Sequence, residues 1–203
     1  MKYILLLVTF TFTWSFAFSE GHERVSPNVE FNKAVKFVEK KEFLKALNIF
    51  EMLANEGFPE AQYNLSLLYY NGVGAPASYR LALYWCWQAH LNLHENAADR
   101  VDIIKEGITE NLQNEVAQNI VDELLVEANN GSTLAPLKLG KTFLGLFVQP
   151  NNKDAYLWLS IAQAYGDEEA SSFLSEAASQ LTLEEVLAQQ DLSQSTFQSI
   201  KAD

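Results

Sequence analysis

Apolar residues recur at helical spacing along most of this chain, in short runs separated by turns. Phe31, Ala34 and Val38 mark one such stripe, and a second stripe runs from residue 43 to residue 53. Steps of three and four residues place each set on one face of an amphipathic helix. Similar stripes follow up to about residue 190, without any segment that favours a strand. We therefore predict an all-α protein with about ten helices.

Small residues close these helices at regular intervals. Gly57, Gly131 and Gly166 are each followed by Ala four residues later. Leu93 occupies the remaining junction, and successive junctions are 36, 38 and 35 residues apart. A period in the mid-thirties is typical of helix-turn-helix repeats, because Gly can end a helix in the left-handed conformation and Ala lets the next helix approach closely. The pattern predicts an α-solenoid of antiparallel helix pairs over residues 29–190.

Part of the pattern returns a second time, at one constant offset in residue number. The matching pairs are Ala82 and Ala155, Trp85 and Trp158, Ala89 and Ala162, Ala97 and Ala170, and Thr109 and Thr182. Ser78 and the two Thr residues are expected to cap helices, and Thr182 forms a capping box with Glu185. The polar end, residues 191–203, is interpreted as a tail or a short capping helix.

These residues resemble the Sel-one-like repeat family, a branch of the tetratricopeptide superfamily. The positions that carry the resemblance are Ala61, Tyr69, Gly72, Gly74, Trp85, Gly131, Ala135, Trp158 and Gly166. Ser66 departs from the family pattern, which has Gly at that place. The resemblance implies an α-solenoid that acts as an adaptor between proteins, often in the bacterial envelope, without catalytic residues or a cofactor. Trp85 and Trp158 are both expected in the core.

The chain begins with a segment that resembles a secretory signal peptide, residues 1–19. Lys2 precedes an uncharged stretch, and small residues end at a cleavage point after Ser19. We expect a periplasmic or secreted mature protein with no stable membrane span, and a flexible lead over residues 20–28.

Charge is distributed unevenly along the chain. The protein has 14 basic and 26 acidic residues, a net charge of −12, and residues 94–203 hold 18 of the acidic but only 6 of the basic groups. Nucleic acid and anionic lipid are disfavoured as partners, since they bind clustered Lys and Arg. The acidic half favours a protein or peptide partner with a basic segment. The oligomeric state stays open, and a self-assembling structural protein is a further reading.

One group of residues has the spacing of metal ligands. Cys86, His90 and His94 lie four residues apart, and groups at this spacing share a helix face. The repeat pattern places His90 where Ala packs and His94 at the start of the next helix, so neither a metal site nor a cofactor is predicted. Sequence motifs of nucleophilic catalysis or zinc hydrolysis are absent from the chain.

Aromatic residues without an aromatic equivalent in the second copy are candidates for contact with a partner. These candidates are Tyr63, Tyr70, Tyr84 and Trp87. Tyr and Trp contribute strongly to protein interfaces, and we place the main anchors on the inner helix, residues 61–70. The sequence thus predicts an exported, non-catalytic adaptor that binds a protein or peptide. The alternative is a cell-envelope enzyme that acts on cell-wall or sugar substrates.

Overall fold

A computed structural model of the chain describes residues 26–202, with side chains up to residue 200. In this range the secondary structure consists of ten α-helices without a strand, which confirms the predicted fold class. The helices are α1 (Pro27–Glu39), α2 (Phe43–Asn55), α3 (Pro59–Asn71), α4 (Tyr79–Leu91), α5 (Ala97–Glu106), α6 (Glu110–Asn129), α7 (Ala135–Gly145), α8 (Asn152–Ala164), α9 (Ala170–Ser179) and α10 (Leu183–Ala202). The predicted signal peptide lies outside the described residues.

Neighbouring helices along the chain pack against one another as hairpins, most closely α3 with α4 and α7 with α8. The turns that join them are short, and this favours an antiparallel arrangement. Ala61 and Ala82 in the first of these hairpins, and Ala135 and Ala155 in the second, are fully buried. Alanine at these places lets the helix axes approach closely, as the repeat pattern predicts. None of the described helices is both long and apolar enough to cross a membrane.

The predicted helix caps are confirmed. The Ser78 hydroxyl accepts a hydrogen bond from the backbone N–H of Leu81 at 3.3 Å, and Thr109 accepts one from Leu112 at 3.2 Å. At the start of α10, the Thr182 N–H donates to Glu185 Oε2 at 2.9 Å while the Glu185 N–H donates to Thr182 Oγ1 at 3.2 Å. This reciprocal pair is the capping box.

The four predicted junctions share one backbone conformation. Gly57, Gly131 and Gly166 have φ values of 83°, 84° and 89°. Leu93 has a φ of 67°, in the left-handed region that costs a residue with a Cβ roughly 1–2 kcal/mol. Its side chain is 75% exposed. The chain therefore accepts local strain at this junction to keep the repeat geometry.

Gly74 is required by a close approach as well as by its φ of 80°. A Cβ at this position would lie 2.9 Å from the carbonyl oxygen of Phe43. The turn between α3 and α4 is therefore seated directly on the start of α2, which links the first helix pair to the next one.

Helices α4, α5 and α6 correspond to α8, α9 and α10 in that order. In each pair the first residues, and also the last residues, differ by the same offset that separates Trp85 from Trp158. We name α3–α6 the first unit and α7–α10 the second unit. The offset inferred from single residues thus holds for the boundaries of these three helix pairs, whereas residues of α3 and α7 correspond at an offset one residue larger, as Ala61 with Ala135 and Ser66 with Gly140. The two units can be compared position by position, which gives an internal reference for each side chain.

Both predicted boundaries of the repeat domain differ from the structure. The first helix begins at Pro27, so the expected lead of residues 20–28 overlaps α1. At the other end, α10 continues without a break across residues 190 and 191. The polar end of α10 stays packed on α8 because the Ser193 hydroxyl donates to the carbonyl oxygen of Leu157 and the Ile200 side chain is buried. The predicted division at residue 190 therefore falls inside α10, whose second half takes the place of the capping helix.

A pair of buried positions differs between the units in a compensating way. In the second unit a Cβ on Gly140 would lie 2.4 Å from Cγ of Leu159, which is fully buried. The equivalent residues in the first unit are Ser66 and Cys86, also fully buried. The larger residue on one helix faces the smaller one on the other, so the total volume is preserved. This exchange explains the departure at Ser66 from the family pattern.

We expect this pair to be energetically coupled. Gly140→Ser alone should lower the free energy of unfolding by about 1–3 kcal/mol, because the hydroxymethyl group collides with Leu159. Combining it with Leu159→Cys, which reproduces the first unit, should cost less than the sum of the two single changes. Urea unfolding of the four proteins in a double-mutant cycle measures the coupling. Additive losses would contradict the proposed volume exchange.

Candidate partner-binding groove

A groove lies between α4 and α6 of the first unit. The cavity between these two helices has a volume of about 400 Å³. The lining residues are Arg80, Leu81, Tyr84, Trp85, Val116, Asn119, Asp122 and Glu123. A second cavity of about 180 Å³ adjoins it and shares Tyr84, Trp85 and Glu123. A third cavity of about 420 Å³ shares Gly57, Asn92 and Lys138 with the second. Because they share lining residues, the three cavities are neighbours, and we refer to them together as the groove.

The groove exists because α6 packs differently from its counterpart α10. In the second unit α10 packs closely along α8, and Gln190 donates to the Tyr156 hydroxyl at 3.1 Å. In the first unit α6 packs more closely on α7 than on α4. Gln113 on α6 donates to the carbonyl oxygen of Leu146 at 2.7 Å, and Asn114 accepts from the Val148 N–H at 3.1 Å. These contacts hold α6 toward the second unit and leave α4 partly uncovered.

The floor of the groove contains two aromatic rings in mutual contact. Tyr84 and Trp85 meet edge to face, with ring centroids 5.0 Å apart. The Tyr84 hydroxyl donates to Glu123 Oε2 at 2.7 Å. Burial, reinforced by this carboxylate, raises the pKa of Tyr84 well above its usual value. The phenol therefore stays protonated and fixes the position of the Glu123 side chain.

The walls of the groove carry more negative than positive charge. Asp122, Glu123 and Glu127 lie on α6, and within the described residues no Lys or Arg nitrogen comes within 4 Å of their carboxylates. Arg80 also lines the groove, but its guanidinium pairs with Glu115 outside the lining set. The groove therefore presents the carboxylates of Asp122 and Glu123, which lack an ion-pair partner among the described residues, beside an apolar floor.

Lys138 is the cation in the middle of the groove. Its ammonium donates to Asn92 Oδ1 at 2.8 Å, and Asn92 in turn donates to Gln62 Oε1 at 2.8 Å. Burial lowers the pKa of Lys138, and the charge of Glu127 acts in the opposite direction. This lysine is thus tied into a hydrogen-bonded network that joins the ends of α3, α4 and α7.

Of the predicted partner-contact residues, only Tyr84 lines the groove. Tyr63 is stacked on His94, with ring centroids 4.1 Å apart, and Tyr70 packs against Tyr79 at 5.4 Å. Both are partly buried and lie outside the three cavities. Their contact with a partner stays a prediction. The inner helix α3 contributes only Pro59 and Gln62 to the groove.

The structure reverses the predicted exposure of Trp85 and Trp87. Trp87 is only 4% exposed, and its indole N–H donates to Thr142 Oγ1 at 3.0 Å, so the prediction that it contacts a partner is wrong. Trp85, predicted to be in the core, is partly exposed on the floor of the groove, whereas Trp158 is buried as predicted. Gly145 explains the exchange, since its missing side chain leaves room for the Trp87 ring on α7. No signal in the sequence linked Gly145 to Trp87.

The candidate metal ligands have other contacts. Cys86 is fully buried, burial raises the pKa of its thiol to about 11, and its Sγ donates to the carbonyl oxygen of Ala97 at 3.5 Å. The His90 ring packs against Trp87 with centroids 4.8 Å apart, and His94 is stacked on Tyr63. Among the residues with described positions, no cluster of three or more His, Cys, Asp or Glu could hold a metal ion.

Comparison with known proteins concerns the fold. No protein-family model matches the chain. No curated protein matches it either. A protective antigen present in uropathogenic Escherichia coli strains, displaying an SLR fold, is similar over 86% of this chain, with 16% identity and a TM-score of 0.35. A Sel1 repeat protein from Oxalobacter formigenes is similar over 83% of this chain, with 17% identity and a TM-score of 0.31.

Both solved structures are described as SLR or Sel1 repeat proteins. That is the family which the sequence resembles. This chain spans 46% of the Escherichia coli protein and 87% of the Oxalobacter formigenes protein. The architecture of the present chain is established by its own helix pairs and by the constant offset between its two units.

The exchanged tryptophans generate a stability prediction. Trp87→Ala should lower the free energy of unfolding by about 3–5 kcal/mol, because it empties a buried site and removes the partner of Thr142. Trp85→Ala should cost about 1–2 kcal/mol, since part of the ring already faces water. Urea unfolding followed by circular dichroism measures both changes. A larger loss for Trp85→Ala would contradict the assignment.

A second prediction concerns the pH dependence of stability. Burial, aided by the Lys141 ammonium, lowers the pKa of His90 from its usual 6.5, although Glu169 and Asp102 oppose the shift. Below pH 6.5 the unfolded chain therefore takes up a proton that folded His90 resists, and stability falls until pH passes the folded pKa. His90→Gln, which reproduces Gln163 of the second unit, should reduce this loss. Urea unfolding at pH 7.5 and 5.5 tests it, and equal losses in both proteins would contradict it.

Proposed function

We propose that this chain is an exported, non-catalytic helical-repeat adaptor, which binds a segment of another protein in the groove between α4 and α6. The observation that carries this proposal is the open face of Trp85. The equivalent Trp158 is buried within the second unit, whereas Trp85 remains partly exposed in a cavity of about 400 Å³.

The composition of the groove supports a protein segment as its occupant. An apolar floor with a few polar groups on the walls provides both burial and orientation for a bound chain. Aromatic residues in a recess are the anchors that most often dominate protein interfaces. The adjoining cavities continue the groove toward Lys138 and give it an elongated form, which suits an extended segment.

Export is part of the same proposal and is supported by the amino-terminal sequence. Residues 1–19 have the charge and hydrophobic pattern of a signal peptide, and the proposed site of action is the bacterial envelope. The negative charge of residues 94–203 would favour a partner with a basic segment over nucleic acid.

Photo-crosslinking in cells that produce the full chain tests the proposal. A photoreactive amino acid replaces either Leu81, which lines the groove, or Leu183, which is exposed on α10 outside it. We expect a discrete protein adduct in the envelope fraction from position 81, on a mature chain that begins at Glu20 by intact mass. Adding Trp85→Ala should abolish that adduct.

Position 183 is the matched control, since it carries the same original side chain with greater exposure. Adducts of equal yield from both positions, or none from position 81, would contradict binding in the groove. A mature chain that retains residues 1–19 would contradict export.

A further inference from the structure

We infer that the groove binds an arginine side chain of its partner, with the guanidinium placed over Trp85 and paired with the carboxylates of Asp122 and Glu123. This inference rests on the proposed function and assigns the chemistry of its central subsite. The occupant is therefore a protein segment that carries an exposed arginine.

The second unit serves as a reference for the groove residues on α6. Asp122, Glu123 and Glu127 on α6 correspond to Ser195, Thr196 and Ile200 on α10. The two helices have the same length and the same capped start, and their side chains differ at every aligned position, including these three. The counterpart helix α10 therefore forms without carboxylates at these three positions.

The residues on the floor of the groove also differ between the two units. Tyr84 corresponds to Leu157, whereas the tryptophan at the next position is retained as Trp85 and Trp158. The retained ring is covered in the second unit and open in the first. Within residues 26–200, Trp85 is thus the one indole that is left partly exposed.

The carboxylates have free hydrogen-bonding capacity beside this ring. Glu123 uses Oε2 to accept from the Tyr84 hydroxyl, and Asp122 uses Oδ1 to accept from Gln118 at 2.8 Å. The second oxygen of each carboxylate has no hydrogen-bond donor among the described side chains. Because Tyr84 also contacts Trp85 edge to face, the Glu123 carboxylate is held close to the indole.

The chemistry of these groups favours a guanidinium over other cations. A planar guanidinium stacks on an aromatic face and donates from several N–H groups to carboxylates at its edge. The Arg80 side chain of the groove itself cannot fill this role while it pairs with Glu115. An acidic or phosphorylated segment would meet uncompensated negative charge and is excluded by the same arrangement.

Indole N–H signals of the ¹⁵N-labelled protein provide a direct test. The probes are two short peptides, acetyl-Ala-Ala-Arg-Ala-Ala-amide and the same peptide with neutral citrulline in place of arginine. The Trp85 signal is assigned with Trp85→Phe. We expect the arginine peptide to shift the Trp85 signal in a saturable manner and the citrulline peptide to bind at least about tenfold more weakly.

Two variants test whether the preference for the arginine peptide depends on the carboxylates of Asp122 and Glu123. Asp122→Ser with Glu123→Thr installs the residues of the second unit and should remove the preference for arginine over citrulline. Asp191→Asn changes the charge of an exposed residue on α10 outside the groove and should preserve the preference. Thermal unfolding of both variants confirms that they are folded.

Equal binding of the two peptides would overturn the subsite, as would the absence of any Trp85 shift up to about 10 mM peptide. Retention of the preference in the Asp122→Ser, Glu123→Thr protein would overturn it as well. These results would leave the adaptor proposal standing if position 81 still crosslinks. Loss of that crosslink would instead contradict the adaptor proposal itself.

Discussion

The arrangement of this protein depends on one packing constraint, which is that α6 has to cover two neighbours at once. A single helix pair cannot bury its own apolar face, so each unit of a solenoid stacks on the next. Helix α6 closes the first unit and also packs on α7, and Gln113 and Asn114 bind it to the turn that follows α7. Helix α10 has no following unit among the described residues and packs fully along α8. The difference in packing opens the groove beside α4.

This origin gives the groove a defined chemistry. A cavity between two rigid helices keeps its shape without a ligand, which reduces the ordering cost of binding. Its floor is an indole that the fold would otherwise cover, and its walls carry carboxylates on a helix whose counterpart lacks them. The Tyr84 hydroxyl joins the two features, because it fixes Glu123 beside the ring. The exposed indole and the carboxylates therefore line the same cavity.

The buried side chains show how the repeat tolerates change elsewhere. Ser66 with Cys86 and Gly140 with Leu159 fill equivalent sites by different divisions of volume. Cys86 is thereby explained as a packing residue, although its spacing to His90 and His94 is typical of metal ligands. The Leu93 junction is a similar case, since the left-handed backbone is kept without the glycine that would ease it. Geometry is preserved in this protein more strictly than residue identity.

Local signals in the sequence were sufficient for the architecture. Helical spacing, glycine at the junctions and the caps at Ser78, Thr109 and Thr182 act within a few residues of one another, so they predicted the class, the helix number and the constant offset between the units. The continuity of α10 across residue 190 was not predicted, because its polar sequence is held by contacts with α8 that no local pattern records.

The site depended on contacts between distant segments. Whether Trp85 or Trp87 is buried is decided by Thr142 and Gly145, which lie more than fifty residues further along the chain. The opening of the groove is decided by the lean of α6 toward α7, which is a balance between two packing surfaces on one helix. Sequence periodicity places a residue on a helix face, but only the tertiary structure determines which neighbour covers that face.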